Sequence, residues 1–284
     1  DDLKRFDPRE YDLVPLRCET WQGFVFLTPD KAAEPLLTYL DDLVDVFARF
    51  EFEPLRLAKR EVYEVAANWK ILVENYSECY HCPGVHPQLN ALTPYDLGED
   101  IPARGLWTGG WQPLVGEALT MGLDKGSHER PWLKGMTETD AKRIQYFAVW
   151  PNLLLSLHPD YLMVHMIEPL GPGRSRVVCD WFVHPDTMKL PTYDFSDAHG
   201  FWDMTNRQDW HVCELQQRGT ASTMLPPMPW PSAAIGLCHH WPLPCCPSAS
   251  ALVPLLHHAT STYAPPCHHR GHHLQCTTAV ASAS

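Results

Sequence analysis

Apolar residues fall into clear periods along the first 220 or so positions and into none beyond them. Residues 11–16 and 21–27 alternate as short strands do, and residues 54–66 read as a longer strand. Residues 35–50 space their apolar positions as a short amphipathic helix. From 68 to 80, Trp69, Leu72, Val73 and Tyr76 share one helical face, and Pro83-Gly84 ends the pattern. Residues 88–142 have weak periodicity and several Gly and Pro, which predicts long loops with short helices over a pocket. Three strand-like runs follow: 144–157, broken at Pro151-Asn152, then 161–168 and 174–183. They are joined by turns at His158-Pro159-Asp160 and Gly171-Pro172-Gly173, and connections that short pair strands antiparallel. A last helix covers 196–218. Strands followed by a long helix predict an α+β domain with helices packed on one sheet face.

The pattern stops after Ser222. Beyond it there is no Asp, Glu or Lys, and Arg270 is the only charged residue. Prolines crowd the stretch, together with the pairs His239-His240, His257-His258, His268-His269 and His272-His273. Frequent prolines break any helix that starts there. Two origins fit: a His/Cys-rich metal-binding segment, or an out-of-frame translation of a GC-rich coding sequence. The abrupt change straight after a well-formed helix pattern favours the second. The expected organisation is a remnant of an upstream β-domain with its linker over 1–33, a catalytic domain over 34–221 and a disordered tail over 222–284. The start at Asp1 without Met leads us to expect further sequence upstream.

Composition narrows the class. The 284 residues, 45% hydrophobic, suffice for one large domain or two smaller ones. A net charge of −12 argues against nucleic acid or an anionic membrane as the main partner. No apolar run is long enough to span a bilayer and no signal-peptide pattern opens the chain, so a cytoplasmic location is expected. Without a secretory signal, the ten cysteines are not read as a disulfide framework.

The chemistry concentrates in residues 68–87, where Glu78, His81 and His86 stand in the spacing Glu-x-x-His-x-x-x-x-His. Two imidazoles close in sequence can bind one transition metal. A carboxylate from elsewhere would complete a facial triad with coordination positions left open for oxygen and substrate. A structural zinc site would fill all four positions instead. On a helix, Glu78 and His81 would share a face, and Pro83-Gly84 could bend the chain so that His86 returns toward His81. The missing carboxylate has a candidate in Asp209, carried on the last helix within Asn206-Arg207-Gln208-Asp209-Trp210-His211.

At this point the chain resembles a known family. Residues 61–87, the Pro151-Asn152 strand and the Asp209 helix resemble, in the same order, the catalytic domain of Rieske non-haem iron oxygenase α-subunits. The likeness leans to the branch acting on quaternary ammonium compounds such as glycine betaine and choline. The resemblance implies a helix-grip domain, an antiparallel sheet wrapped around a long C-terminal helix. It implies a mononuclear Fe(II) on His81, His86 and Asp209. It implies that Glu78 bridges electron transfer from a neighbouring subunit of a homotrimer, and that Asn75 sits close behind the iron ligands. It further implies a small organic substrate and O2, and electrons from a 2Fe–2S cluster fed by a ferredoxin or flavin reductase. That cluster needs Cys-x-His and Cys-x-x-His pairs, which do not precede residue 61. It is therefore expected on an upstream Rieske domain, and this chain is expected to be a fragment that binds iron but does not turn over unaided.

Rival readings remain. One is a non-catalytic helix-grip ligand-binding module. Another is a zinc-dependent hydrolase using the same three ligands with Glu78 as base. Cys79-Tyr80-His81-Cys82 spells a redox dithiol motif, but it lies inside the metal motif and is set aside. His158-x-Asp160 and His184-x-Asp186 carry a central Pro and read as turns. Trp107, Trp111, Phe147, Trp150 and Trp202 could line a pocket, although aromatics at such positions are more often core.

Overall fold

The computed structural model describes residues 13, 15–124, 129–220, 222 and 253–256. A hairpin of β1 (Arg17–Trp21) and β2 (Phe24–Thr28) comes first, then the one-turn helices α1 (Leu36–Leu40) and α2 (Leu43–Phe47). The centre is an antiparallel sheet built from β3 (Arg56–Val65), β4 (Glu99–Ile101), β5 (Trp107–Pro113), β6 (Arg143–Val149), β7 (Leu153–Leu157), β8 (Leu162–Gly171) and β9 (Arg174–Val183). Its spatial order is β3-β9-β8-β7-β6-β5-β4. From β4 to β9 chain neighbours are sheet neighbours, and β3 closes the far edge against β9 from Arg56↔Val183 to Val65↔Ser175. Between β3 and β4 run α3 (Trp69–Tyr76), α4 (Cys82–Val85) and α5 (Pro87–Leu92), and α6 (Ser196–Thr220) follows the sheet. The expected combination of helices and an antiparallel sheet is therefore present.

Both faces of the sheet are covered. On one, Leu154, Met163, Ile167, Cys179 and Trp181 pack with Ile71, Leu72 and Val73 of α3 and with Phe201, Trp202 and Cys213 of α6. On the other, Phe147, Leu153, Leu155 and Val164 pack with Phe24, Phe26 and the α1–α2 residues Leu36, Leu40 and Phe47. Every residue of β7 is buried. This is why 144–157 reads as a nearly continuous apolar run rather than a clean alternation. Asn152 joins β7 to β8 through Nδ2 donating to Ile167 O at 3.1 Å.

Several expectations need correction. The single strand expected over 21–27 is interrupted by a turn at Gln22 (φ 52) and Gly23 (φ 84), a left-handed pair that a tight hairpin requires. The helix expected over 35–50 is two pieces, parted at Asp41 with φ 46. The helix expected over 68–80 stops at Tyr76, because Ser77 caps it and turns its hydroxyl back to Val73 O at 2.7 Å. Pro83-Gly84, expected to end that helix, lies inside α4. Two strands, β4 and β5, run through the region expected to be loops. The β5 signal is erased by Gly109 and Gly110, where an added Cβ would stand 2.7 Å from Tyr146 O and Glu99 O. Although the tail shows no strand period, β10 (Val253–Leu256) pairs antiparallel with β2. It runs from Val253↔Leu27 to Leu256↔Phe24 along the hairpin. The rest of the tail beyond Ser222, and residues 11, 12 and 14, lie outside the described residues. No helix among the described residues is long and apolar enough to cross a membrane.

Candidate metal centre

Three elements meet at the candidate site. Asn75 stands in the last turn of α3, His86 sits at the junction of α4 and α5, and Asp209 lies midway along α6. Glu78 and His81 occupy the turn between α3 and α4, not a helical face as expected. That turn is shaped by Glu78 itself, whose carboxylate accepts the Tyr80 N–H and holds His81 Nδ1 at 2.6 Å. The turn is also closed covalently by a Cys79–Cys82 disulfide with Cα atoms 5.0 Å apart. The dithiol motif set aside in the sequence is thus bridged: the helix ends early, and the ensuing turn brings the two Cα atoms within bridging distance.

His81, His86 and Asp209 each present a donor atom, all within 4.8 Å of one another. Asp209 Oδ1 is the focus. It lies 2.8 Å from His86 Nε2 and 3.3 Å from His81 Nε2, and accepts from Asn75 Nδ2 at 2.6 Å. The other ring nitrogens are committed elsewhere. His81 Nδ1 meets Glu78 Oε1, and His86 Nδ1 meets Gln208 Oε1 at 2.8 Å. Both partners are oxygen acceptors, so each Nδ1 carries the proton and each Nε2 turns its lone pair toward the carboxylate. Two lone pairs facing one anion need a cation between them. A divalent metal fits this arrangement, and the Nδ1 contacts to Glu78 and Gln208 are the outer hydrogen bonds that fix metal-binding imidazoles in place. Among the described residues this is the one set of three or more such donors gathered together. The Cys-His pairs of the tail lie outside them.

A proton on His81 fills the same role in the metal-free protein. Burial pulls the His81 imidazole down, but Asp209 and Glu78 outweigh it and hold its pKa at about 9, above the ordinary 6.5. Burial pushes the Asp209 carboxyl up, but His81, His86 and Asn75 outweigh it and hold its pKa at about 2, below the ordinary 3.8. The Asp209 contribution to stability is complete above its unfolded pKa and is lost as pH falls through about 2. The His81 contribution is complete below 6.5 and is lost as pH rises through about 9. Metal binding works against this, because it must expel the His81 proton. Co(II) or Fe(II) affinity is therefore expected to rise tenfold per pH unit up to about 9, with about one proton released per metal. A competition titration in weak buffer measures both, and an affinity flat from about pH 6 to pH 8 would show that His81 holds no such proton.

Around the centre stand residues that the sequence pattern did not single out. Tyr76 donates to Leu155 O at 2.8 Å and faces Tyr146, with ring centroids 6.1 Å apart. His165 and Trp210 pack edge to face at 6.1 Å. Gln208 was invisible because it neighbours Asp209, and helical neighbours ordinarily diverge. The aromatics considered for a pocket are elsewhere. Trp107 and Phe147 belong to the opposite core, Trp202 donates to Tyr161 Oη at 2.7 Å, Trp150 packs on Trp69, and Trp111 lies under Arg143. His158 stacks on Tyr161, and Asp160 pairs with Arg130, so that turn holds no metal set.

Comparison with known proteins bears on what this geometry serves. Residues 52–240 match the family model for the ring hydroxylating alpha subunit (catalytic domain). The glycine betaine monooxygenase oxygenase subunit of Pseudomonas aeruginosa is 26% identical over 253 residues, covering 79% of this chain and 59% of that protein. The carnitine monooxygenase oxygenase subunit of Escherichia coli is 28% identical over 224 residues, covering 78% and 56%. The chloroplastic choline monooxygenase of Spinacia oleracea is 24% identical over 222 residues, covering 76% and 47%. The chain thus spans about half to three fifths of the length of these curated relatives. The crystal structure of the quaternary ammonium Rieske monooxygenase CntA with L-carnitine superposes with a TM-score of 0.56 at 22% identity, over 78% of this chain and 55% of that one. At that identity the superposition speaks for the fold.

Proposed function

Since this chain belongs to the family of ring-hydroxylating α-subunit catalytic domains, we propose that it is the iron-binding catalytic part of a Rieske-type monooxygenase. Its reaction would hydroxylate or N-demethylate a small quaternary ammonium compound. The observation that carries this reading is the convergence of His81 Nε2, His86 Nε2 and Asp209 Oδ1, with both Nδ1 atoms already spent. These three residues would hold Fe(II) and leave positions open. The bound metal would supply the O2 chemistry that no side chain can perform. A 2Fe–2S cluster, a reductase or ferredoxin and assembly as a homotrimer belong to the whole oxygenase in this reading.

The chain's own residues supply positioning. Asn75 holds the Asp209 carboxylate from α3, so the ligand on α6 is fixed by a second helix. Gln208 and Glu78 orient the two imidazoles. The Glu78 side chain keeps 23% exposure. It is therefore the group through which a redox partner would reach His81. Tyr76, Tyr146 and Trp210 offer ring faces suited to a quaternary ammonium head.

The test is anaerobic loading of the full chain with Fe(II), Zn(II) or Co(II), followed by titration with choline, carnitine and glycine betaine. One metal per chain is expected, and at least one of these cations should perturb the Co(II) visible spectrum. Sub-stoichiometric metal would sink the catalytic reading and leave a ligand-binding module. Stoichiometric metal with no response to any quaternary ammonium compound would remove the substrate class.

A further inference from the structure

His165 is a buried titratable residue that the metal centre leaves unused. It lies on β8 with Leu154 and Cys179 as its cross-strand partners, on the sheet face that α3 and α6 cover. Its ring packs edge to face with Tyr76 and with Trp210, each at a centroid distance of 6.1 Å. Nε2 lies 3.1 Å from Asn206 Oδ1, while the Asn206 amide nitrogen turns to Cys179 Sγ at 3.6 Å. An amide oxygen only accepts, so Nε2 carries the hydrogen and Nδ1 is a bare lone pair. Burial holds the ring neutral, with its pKa down at about 4.

Nδ1 is buried and has no hydrogen-bond partner among the described residues. The Trp210 Nε1–H, on the adjoining ring, is likewise buried and without one. An orphan acceptor and an orphan donor on touching rings are unusual inside a protein, where such groups are nearly always paired. Both belong to the metal centre's surroundings. Trp210 follows Asp209, and Asn206 precedes it by one helical turn. A hydroxyl group carries both of the missing functions, because its O–H donates and its oxygen accepts. A trimethylammonium group can do neither, and a carboxylate cannot donate.

We infer that His165 Nδ1 and Trp210 Nε1 form a subsite for a substrate hydroxyl, with Asn206 as the residue that positions His165. The substrate would then be a hydroxylated quaternary ammonium compound, in the manner of choline or carnitine rather than glycine betaine. The quaternary ammonium half of this statement rests on the function proposed above, and the hydroxyl half rests on the two orphan atoms.

Two ligand pairs differ by that hydroxyl alone: choline against ethyltrimethylammonium, and carnitine against γ-butyrobetaine. Calorimetric titration into the metal-loaded full chain should favour the hydroxylated member of at least one pair by roughly tenfold or more, since its loss strands two buried polar atoms. His165→Phe keeps the ring volume and should erase the preference while leaving the deoxy ligand's affinity within about twofold. Trp210→Phe, a second variant should the first misfold, should reduce it. Equal affinities within both pairs would overturn the proposal. A preference unchanged in either folded variant would overturn it as well. The uncharged alcohol 3,3-dimethylbutan-1-ol separates this result from the function reading. If it binds as well as choline and the hydroxyl preference holds, the cationic substrate class falls and the hydroxyl subsite stands. If no member of either pair binds, both fall.

Discussion

Asp209→Ala is expected to lower Fe(II) or Co(II) affinity by at least roughly a hundredfold, the upper end of what losing an outer hydrogen bond to a metal ligand costs. The reason lies in how the centre is assembled. Asp209 Oδ1 is the single atom on which both Nε2 atoms and the Asn75 amide converge, at 2.8, 3.3 and 2.6 Å. Its removal takes away one ligand and the anion that gathers the other two. It also changes the protonation of His81. With Asp209 gone, burial has only Glu78 to oppose it, and the imidazole pKa falls from about 9. The variant should therefore release less than one proton on whatever metal it still binds. Its affinity should also flatten with pH where the wild-type rises tenfold per unit. Asn75→Ala leaves all three donors in place and should cost roughly tenfold to a hundredfold. A calorimetric titration of the three proteins at two pH values reads all of this. Asp209→Ala binding as tightly as wild-type would remove Asp209 from the ligand set.

How much of this was legible in the sequence differs from residue to residue. The strands over 144–183 and the long helix were legible because apolar periods, turn residues and length agree there. The three candidate ligands were legible because His-x-x-x-x-His is local and because Asp209, one of four acids on the long helix, stands in the sequence context that the family resemblance matches. The form of the contact was not. Glu78 and His81 were placed on a helix, yet Ser77 ends α3, and the Glu78–His81 contact is made across a turn. A capping serine inside an otherwise helical run carries little periodic signal. β5 was lost because its glycines pack under neighbouring backbone, a tertiary requirement that looks like a loop in one dimension. His165 and Asn206 were passed over because each is an ordinary core polar residue until its partner, 41 positions away, is known.

The same one-dimensional blindness hid the site where a single substitution should cost the most stability. Arg130 has a fully buried side chain and reaches two aspartates. Nε donates to Asp160 Oδ2 at 2.8 Å, and Nη1 and Nη2 donate to Asp197 at 2.9 and 3.1 Å. Nη1 also donates to Asp194 O at 2.8 Å. Asp160 is completed by the Thr120 hydroxyl at 2.5 Å. The network ties the segment before β6 to the β7–β8 turn and to the first turn of α6. Replacing such a network whole by apolar residues can be neutral, because desolvation nearly cancels the attraction. Removing only the cation cannot be, because two carboxylates then remain in a space that water does not reach. Arg130→Met is therefore expected to destabilise the protein by about 3–5 kcal/mol, enough to lower the melting temperature by roughly 10 °C in a domain of this size. Asp197→Asn should cost only about 1 kcal/mol, since it removes a charge yet leaves Asp160 to balance the guanidinium. The triple replacement Arg130→Met, Asp160→Leu, Asp197→Leu should recover most of what Arg130→Met loses, because it removes the stranded charges along with the cation. Thermal melts of the metal-free variants give the order directly. If the triple variant is no more stable than Arg130→Met, the loss comes from packing around the guanidinium and not from unpaired charge.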